Sequence, residues 1–223
     1  MSADLDSIEE ARAILASAQE VRRDFGIKWI PVEVAFSDTY LMGDVTRPRT
    51  NPWYQDVPSD HPVMQGDTLV VAPSMKGRLS PAEWRPIVAA SMIYYSKLNL
   101  KKNLGIMAIV LPIVLVVSAG ILALLVSPNM VIPWNDVGLL LIGAYLGITL
   151  GSYMLVARYE RDLWLKADRM AAEYVGPGVM LGILEKVDGF KISELEGSRG
   201  STMPSLAQRI AMLRQYSGRT GFG

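Results

Sequence analysis

The 223-residue chain contains one histidine, His61, and no cysteine. Protein zinc sites are built mainly from histidine, cysteine and carboxylates. Every site of the HExxH type needs two histidines, so the count alone excludes it. The lack of cysteine also excludes disulfides and thiolate metal sites, and it fits a reducing compartment. His61 ends a Pro-, Asp- and Asn-rich stretch, 46–62, that reads as an exposed loop. A lone histidine there is expected to be solvated rather than catalytic. Glu160 and Asp168 flank Trp164, one helical turn to either side. Two carboxylates without imidazole suit hard, weakly held cations better than zinc. Ser91 has no histidine close in sequence, and Lys97 lies too far along the same helix to activate it. No cofactor and no metal are therefore expected.

The elements that must position these residues divide into soluble and membrane-embedded parts. Half of the residues are hydrophobic, and the surplus sits in two blocks. Leu104–Val126 is 23 residues without a charge. At 1.5 Å per residue it spans roughly 35 Å, enough for a ~30 Å hydrocarbon core. Val137–Ala157 is a second uncharged run, of 21 residues. Lys97, Lys101 and Lys102 flank the first run, and Arg158, Arg161, Lys166 and Arg169 follow the second. The stretch between them, 127–136, has no Lys or Arg. The positive-inside rule then predicts a multi-pass hairpin in the cell (inner, cytoplasmic) membrane with both termini cytoplasmic. Trp134 stands where an interfacial aromatic would, and Pro112 is expected to kink the first span. Gly143, Gly147 and Gly151 form a helix-packing stripe on the second span. It would meet the first span of the same chain, a second copy, or a partner subunit.

Outside the spans the sequence reads as α+β and mainly helical. Residues 6–25 form an amphipathic helix capped by Asp6 or Ser7, and residues 28–36 a strand in which Val32, Val34 and Phe36 alternate. Leu69–Ala72 is a short strand. A helix over 79–98 is capped by Ser80, with Pro81 first and Glu83 at the capping-box position. A cytoplasmic helix continues the second span to the break at Gly176, a short helix covers 179–187, and the last covers 206–216. The division is 1–103, a hairpin at 104–157 and 158–223. Lys+Arg and Asp+Glu balance at 22 each, which excludes the clustered basic face of a nucleic-acid binder.

Four pieces in this order resemble the M48 (HtpX-like) family of membrane metalloproteases. LSPAEWRPIVAASMIYY, from Leu79, is similar to the family's active-site helix, LSxEELRAVLAHELGHI, without gaps. Two spans follow. RDLWLKADRMAAE, from Arg161, resembles RRREYEADRLAAE, and STMPSLAQRIAML, from Ser201, resembles STHPPLEERIARL. The resemblance implies an M48 peptidase-like cytoplasmic domain interrupted by the hairpin, with Asp168 and Arg209 as retained scaffold positions. It also implies where the family's zinc chemistry would have stood. The two helix histidines fall at Ala90 and Tyr94, the general base at Ser91, the third ligand at Trp164, and a further histidine at Met203. All are replaced. Trp164 and Met203 are expected to fill the former metal cavity, and Asp168 to keep a structural hydrogen bond, with Tyr94 as a possible partner.

The function expected is a catalytically inactive, M48 peptidase-like integral membrane protein. It would have a binding, regulatory or scaffold role towards a membrane protein partner, a client or a second copy. The alternatives are an enzyme with a non-standard site, or a structural subunit of a membrane complex. Along an edge strand, for which Leu69–Ala72 is the candidate, a peptide would add through backbone hydrogen bonds.

Overall fold

Ile14, Ala18 and Val21 recur at four- and three-residue steps, which puts them on one helical face. All three are fully buried on helix α1 (Ser2–Phe25). The helix starts before the expected caps Asp6 and Ser7, because Ala3 and Leu5 are good helix formers and no Gly or Pro intervenes. It ends at Gly26, φ 60°, with the Ile27 N–H returning to Arg22 O at 2.9 Å. The computed structural model describes residues 2–36, 57–126, 134–191 and 203–220. Residues 46–56 of the expected loop, the 127–133 connection, Ser201, Thr202 and the side chain of Trp134 lie outside what is described.

Strands β1 (Glu33–Phe36), β2 (Val63–Gln65) and β3 (Thr68–Val71) form a mixed sheet in the order β1-β3-β2. β1 runs parallel to β3 and β2 antiparallel. β1 is shorter than expected, since Pro31 has no N–H to give to a ladder. The Val32 N–H reaches Asp67 O at 2.9 Å, but Ile30 and Val32 are exposed. Leu69–Ala72 is not an edge strand. β3 is central and buried at every residue, with both flanks taken by β1 and β2, so no peptide can add there. The physical reason was visible in the run LVVA: an unbroken apolar stretch suits a strand covered on both faces, whereas an exposed edge calls for charge or proline.

Helix α2 (Pro81–Met92) opens as its sequence predicts, with Pro81 at the first position and Glu83 Oε2 accepting the Ser80 N–H at 2.7 Å. Trp84, Ile87, Val88, Ala89, Ala90, Ser91 and Met92 are all buried. The expected single helix to residue 98 is instead interrupted. Ile93–Lys97 forms a π-helical turn, and helix α3 (Asn99–Val126) begins after it. Pro112 lies inside α3 without ending it. Helix α4 (Trp134–Val175) joins the second apolar run and the charged segment after it into 42 continuous residues. Gly176, φ 100°, breaks it before helix α5 (Pro177–Gly189), and helix α6 (Leu206–Thr220) closes the order.

The protein is thus a mainly helical α+β fold, with six α-helices and a small sheet among the described residues. One core joins residues from both sides of the two apolar runs: Ile14, Leu69, Trp84 and Ile93 with Trp164, Ala171, Leu184 and Leu213. Asn99–Ala123 is long and apolar enough to cross a membrane, and its large side chains, Leu104, Leu111 and Val116 among them, are exposed. Ile142, Leu146 and Leu150 on α4 are exposed likewise. Where α3 meets α4, the close approach is made by Gly105. A Cβ built there would clash with the ring and hydroxyl of Tyr159, and that hydroxyl donates to Lys101 O at 2.8 Å. Gly143, Gly147 and Gly151 face open space, with nothing within 4 Å of a Cβ. Among the described residues, the tight α3–α4 contact is made at Gly105, outside that stripe.

Candidate functional site

The π turn determines the site's first wall. A π turn makes i→i+5 hydrogen bonds and is wider than an α turn, so neighbouring residues diverge less around the axis. Tyr94 and Tyr95 consequently both reach Trp164 on α4. Tyr94 stacks on the indole at 3.7 Å between centroids and 13° between planes, and Tyr95 meets it edge-on at 5.5 Å and 88°. Burial holds both phenols above the usual tyrosine range, reinforced at Tyr94 by the Glu160 charge and at Tyr95 by Tyr94 and then Glu160. Glu160 itself pairs with Lys102 at 2.9 Å, and Lys102 lies over the Tyr94 ring at 5.3 Å.

Behind the aromatic wall runs a buried polar chain. Arg209 on α6 donates Nε to Asp168 Oδ2 at 2.8 Å and Nη2 to Asp168 Oδ1 at 2.6 Å. Its Nη1 reaches Asp60 Oδ2 at 2.6 Å and Asp60 O at 3.1 Å. All three side chains are within 1% of complete burial. Burial alone would lower the guanidinium, but the charges of Asp168 and Asp60 outweigh it and raise it above its ordinary value. The chain continues from Asp60 Oδ1 to His61 Nδ1 at 3.1 Å, and His61 Nε2 faces Met203 Sδ at 3.2 Å. The imidazole packs on Trp164 with centroids 4.6 Å apart.

Several expectations are corrected here. His61 is 2% exposed, not solvated, and Val57, Pro58, Ser59, Asp60 and Pro62 are buried with it. The end of the expected loop is drawn inward because the bidentate pair with Asp168 leaves the buried Arg209 Nη1 in need of an acceptor, which Asp60 supplies. Asp168 bonds Arg209; no bond to Tyr94 forms. Trp164 is buried and Met203 is half-buried against His61. Ala90 and Ser91 are fully buried beside this cluster on α2, and the Ser91 hydroxyl has no hydrogen-bond partner. Asp60 and His61 were missed as site residues. Their signal was indirect: Asp168 and Arg209 stand on otherwise apolar helix faces and demand compensation.

The arrangement is poor in conventional catalytic geometry. Among the described residues, no group of three or more His, Asp or Glu side chains is placed to hold a metal ion. Each polar atom of Arg209 is engaged, and the tyrosines are pushed away from ionisation. No protein-family model, no curated protein and no solved structure matches the chain.

Proposed function

We propose that this chain is a membrane-embedded relative of the M48 metalloproteases that has lost its catalytic centre and now works by binding. One observation carries the reading. Tyr94 and Trp164, which the resemblance places at two zinc-ligand positions 70 residues apart, stack face to face at 3.7 Å. Residues standing for ligands of one ion would have to converge in this way. Ala90 and Ser91 lie on the same buried helix, and Met203 closes the cluster through His61. Apolar and aromatic groups in place of ligands remove polar atoms that are costly to bury without a metal.

In this reading α3 and the first half of α4 form a two-span hairpin in the cytoplasmic membrane, with both termini cytoplasmic. Exposed apolar side chains on both helices support it, as do the basic flanks. The partner is a membrane protein, a client or a second copy, and the open stripe Gly143, Gly147 and Gly151 is the surface that favours a helical one. Purified protein in mild detergent should hold no stoichiometric zinc and should not cleave casein. One zinc per chain with chelator-sensitive cleavage would overturn the proposal.

A further inference from the structure

Contacts at both ends show that α1 runs beside α2 in the same direction. At the starting end, Glu10 accepts from the Gly77 N–H at 2.9 Å and from Trp84 Nε1 at 3.1 Å. At the other end, Lys97 Nζ stands 4.9 Å from the centroid of the Phe25 ring. Lys97 closes the π turn, and Leu104, where the first uncharged run begins, lies seven residues on, about 10 Å along a helix. The strands agree with this direction. β1 and β3 are parallel, and the chain leaves β3 towards Gly77, at the Glu10 end. The turn before β3 and the segment before β1 therefore lie at the end next to α3. There the Val32 N–H reaches Asp67 O at 2.9 Å, and Trp29 Nε1 donates to Gly66 O.

We propose that Trp29–Val32 is a second membrane contact, dipping into the headgroup region of the leaflet on the side of the folded core. Ile30 is 53% and Val32 62% exposed, while Pro31 between them is buried. In extended chain that alternation puts Ile30 and Val32 on one face. Single exposed apolar side chains are ordinary, but these are gathered. Outside the two apolar runs, the exposed large apolar side chains among the described residues are Ile8, Ile30, Val32, Leu100 and Val179. Ile30, Val32 and Leu100 all belong to the end next to α3. Five residues of extended chain reach at most about 17 Å, so Ile30 stays close to the level of Phe25 and Lys97. Half-buried Trp29 adds a ring of the type that favours membrane–water boundaries. Exposed Lys28, Lys97 and Lys101 are offset in part by exposed Glu33 and Asp67, so the attachment is apolar before it is electrostatic. The inference rests on α3 crossing a membrane, as read above, and on nothing in the protease ancestry.

The absence of cysteine makes the test direct. Single variants of the full chain, Ile30→Cys, Val32→Cys, Ile8→Cys and Leu115→Cys, each carry one environment-sensitive fluorophore in phosphatidylcholine vesicles. All four side chains are exposed, so the label displaces no core. Ile8 marks the far end of α1, and Leu115 the middle of the first uncharged run. Labels at 30 and 32 should be several-fold less quenched by iodide, added on both sides of the bilayer, than the label at 8. Nitroxide-bearing lipids should place them about 5–10 Å into the headgroup–acyl boundary, shallower than the label at 115. Iodide quenching at 30 and 32 equal to that at 8 would overturn the proposal. Shielding from iodide without quenching by nitroxide lipid would also overturn it, since a protein surface would then cover the patch. A label at 115 open to iodide would instead remove the span itself, and this contact with it.

Discussion

Arg209 lays two parallel donors across the Asp168 carboxylate, at 2.8 and 2.6 Å, with both side chains buried and 41 positions apart in the chain. Bidentate guanidinium–carboxylate pairs are among the stronger hydrogen-bonded units, and lysine cannot reproduce the fork. Because Nη1 also holds Asp60, this one side chain ties α6 to α4 and to the segment bearing His61.

Breaking the fork should therefore be costly. Asp168→Asn leaves the guanidinium short of one countercharge, and removing one partner of a buried pair costs about 3–5 kcal/mol. Denaturant unfolding in detergent measures it. A loss below about 1 kcal/mol, the usual ceiling for an exposed pair, would mean that the network is not buried in solution.

Acid stability should carry a contribution from Glu83. Hydrogen bonds from Lys186 and from the Ser80 backbone hold its carboxyl down from 4.5 to about 2. A carboxyl depressed in the folded state stabilises fully above its unfolded value, and that contribution fades as pH falls through the folded value. Wild-type protein should thus lose stability between about pH 4.5 and pH 2 that Glu83→Gln does not lose. Equal slopes for the two proteins over that window would refute the assignment.

The helix crossing makes a contrast between glycines. Gly105→Ala must displace the Tyr159 ring and break its bond to Lys101 O. Overpacking of this kind costs about 1–3 kcal/mol. Gly147→Ala meets nothing in the chain, so thermal unfolding of the monomer should be unchanged within the scatter of surface substitutions. If the Gly147 variant is the damaged one, α3 and α4 cross elsewhere.

The protease ancestry can be probed by restoration. The combined variant A90H/S91E/Y94H/W164E removes the Tyr94–Trp164 stack and puts the family's ligands back on α2 and α4. It should take up one zinc per chain, measured by metal analysis after dialysis. A folded variant that holds no zinc would count against the alignment on which the reading rests.

Much of the secondary structure was legible because it depends on local chemistry. The Ser80–Pro81–Glu83 start of α2, the Gly176 break and the continuity of α4 follow from capping, φ preference and unbroken periodicity. The π turn at Ile93–Lys97 was not legible. Its residues have no local signal for a wider turn, and its payoff, both tyrosines against Trp164, lies in another helix.

By itself the sequence determined what this protein lacks and where its apolar mass lies. One histidine and no cysteine rule out an HExxH centre whatever the fold, since ligand number is a matter of composition. Long uncharged runs likewise declare themselves without reference to neighbours. Only the tertiary structure decided the surroundings of His61. Burial puts the third arm of Arg209, Nη1, beyond the reach of water, and the chain supplies its acceptor by drawing Asp60 inward. That long-range compensation carries His61 to Met203, a meeting that no spacing along the chain encodes.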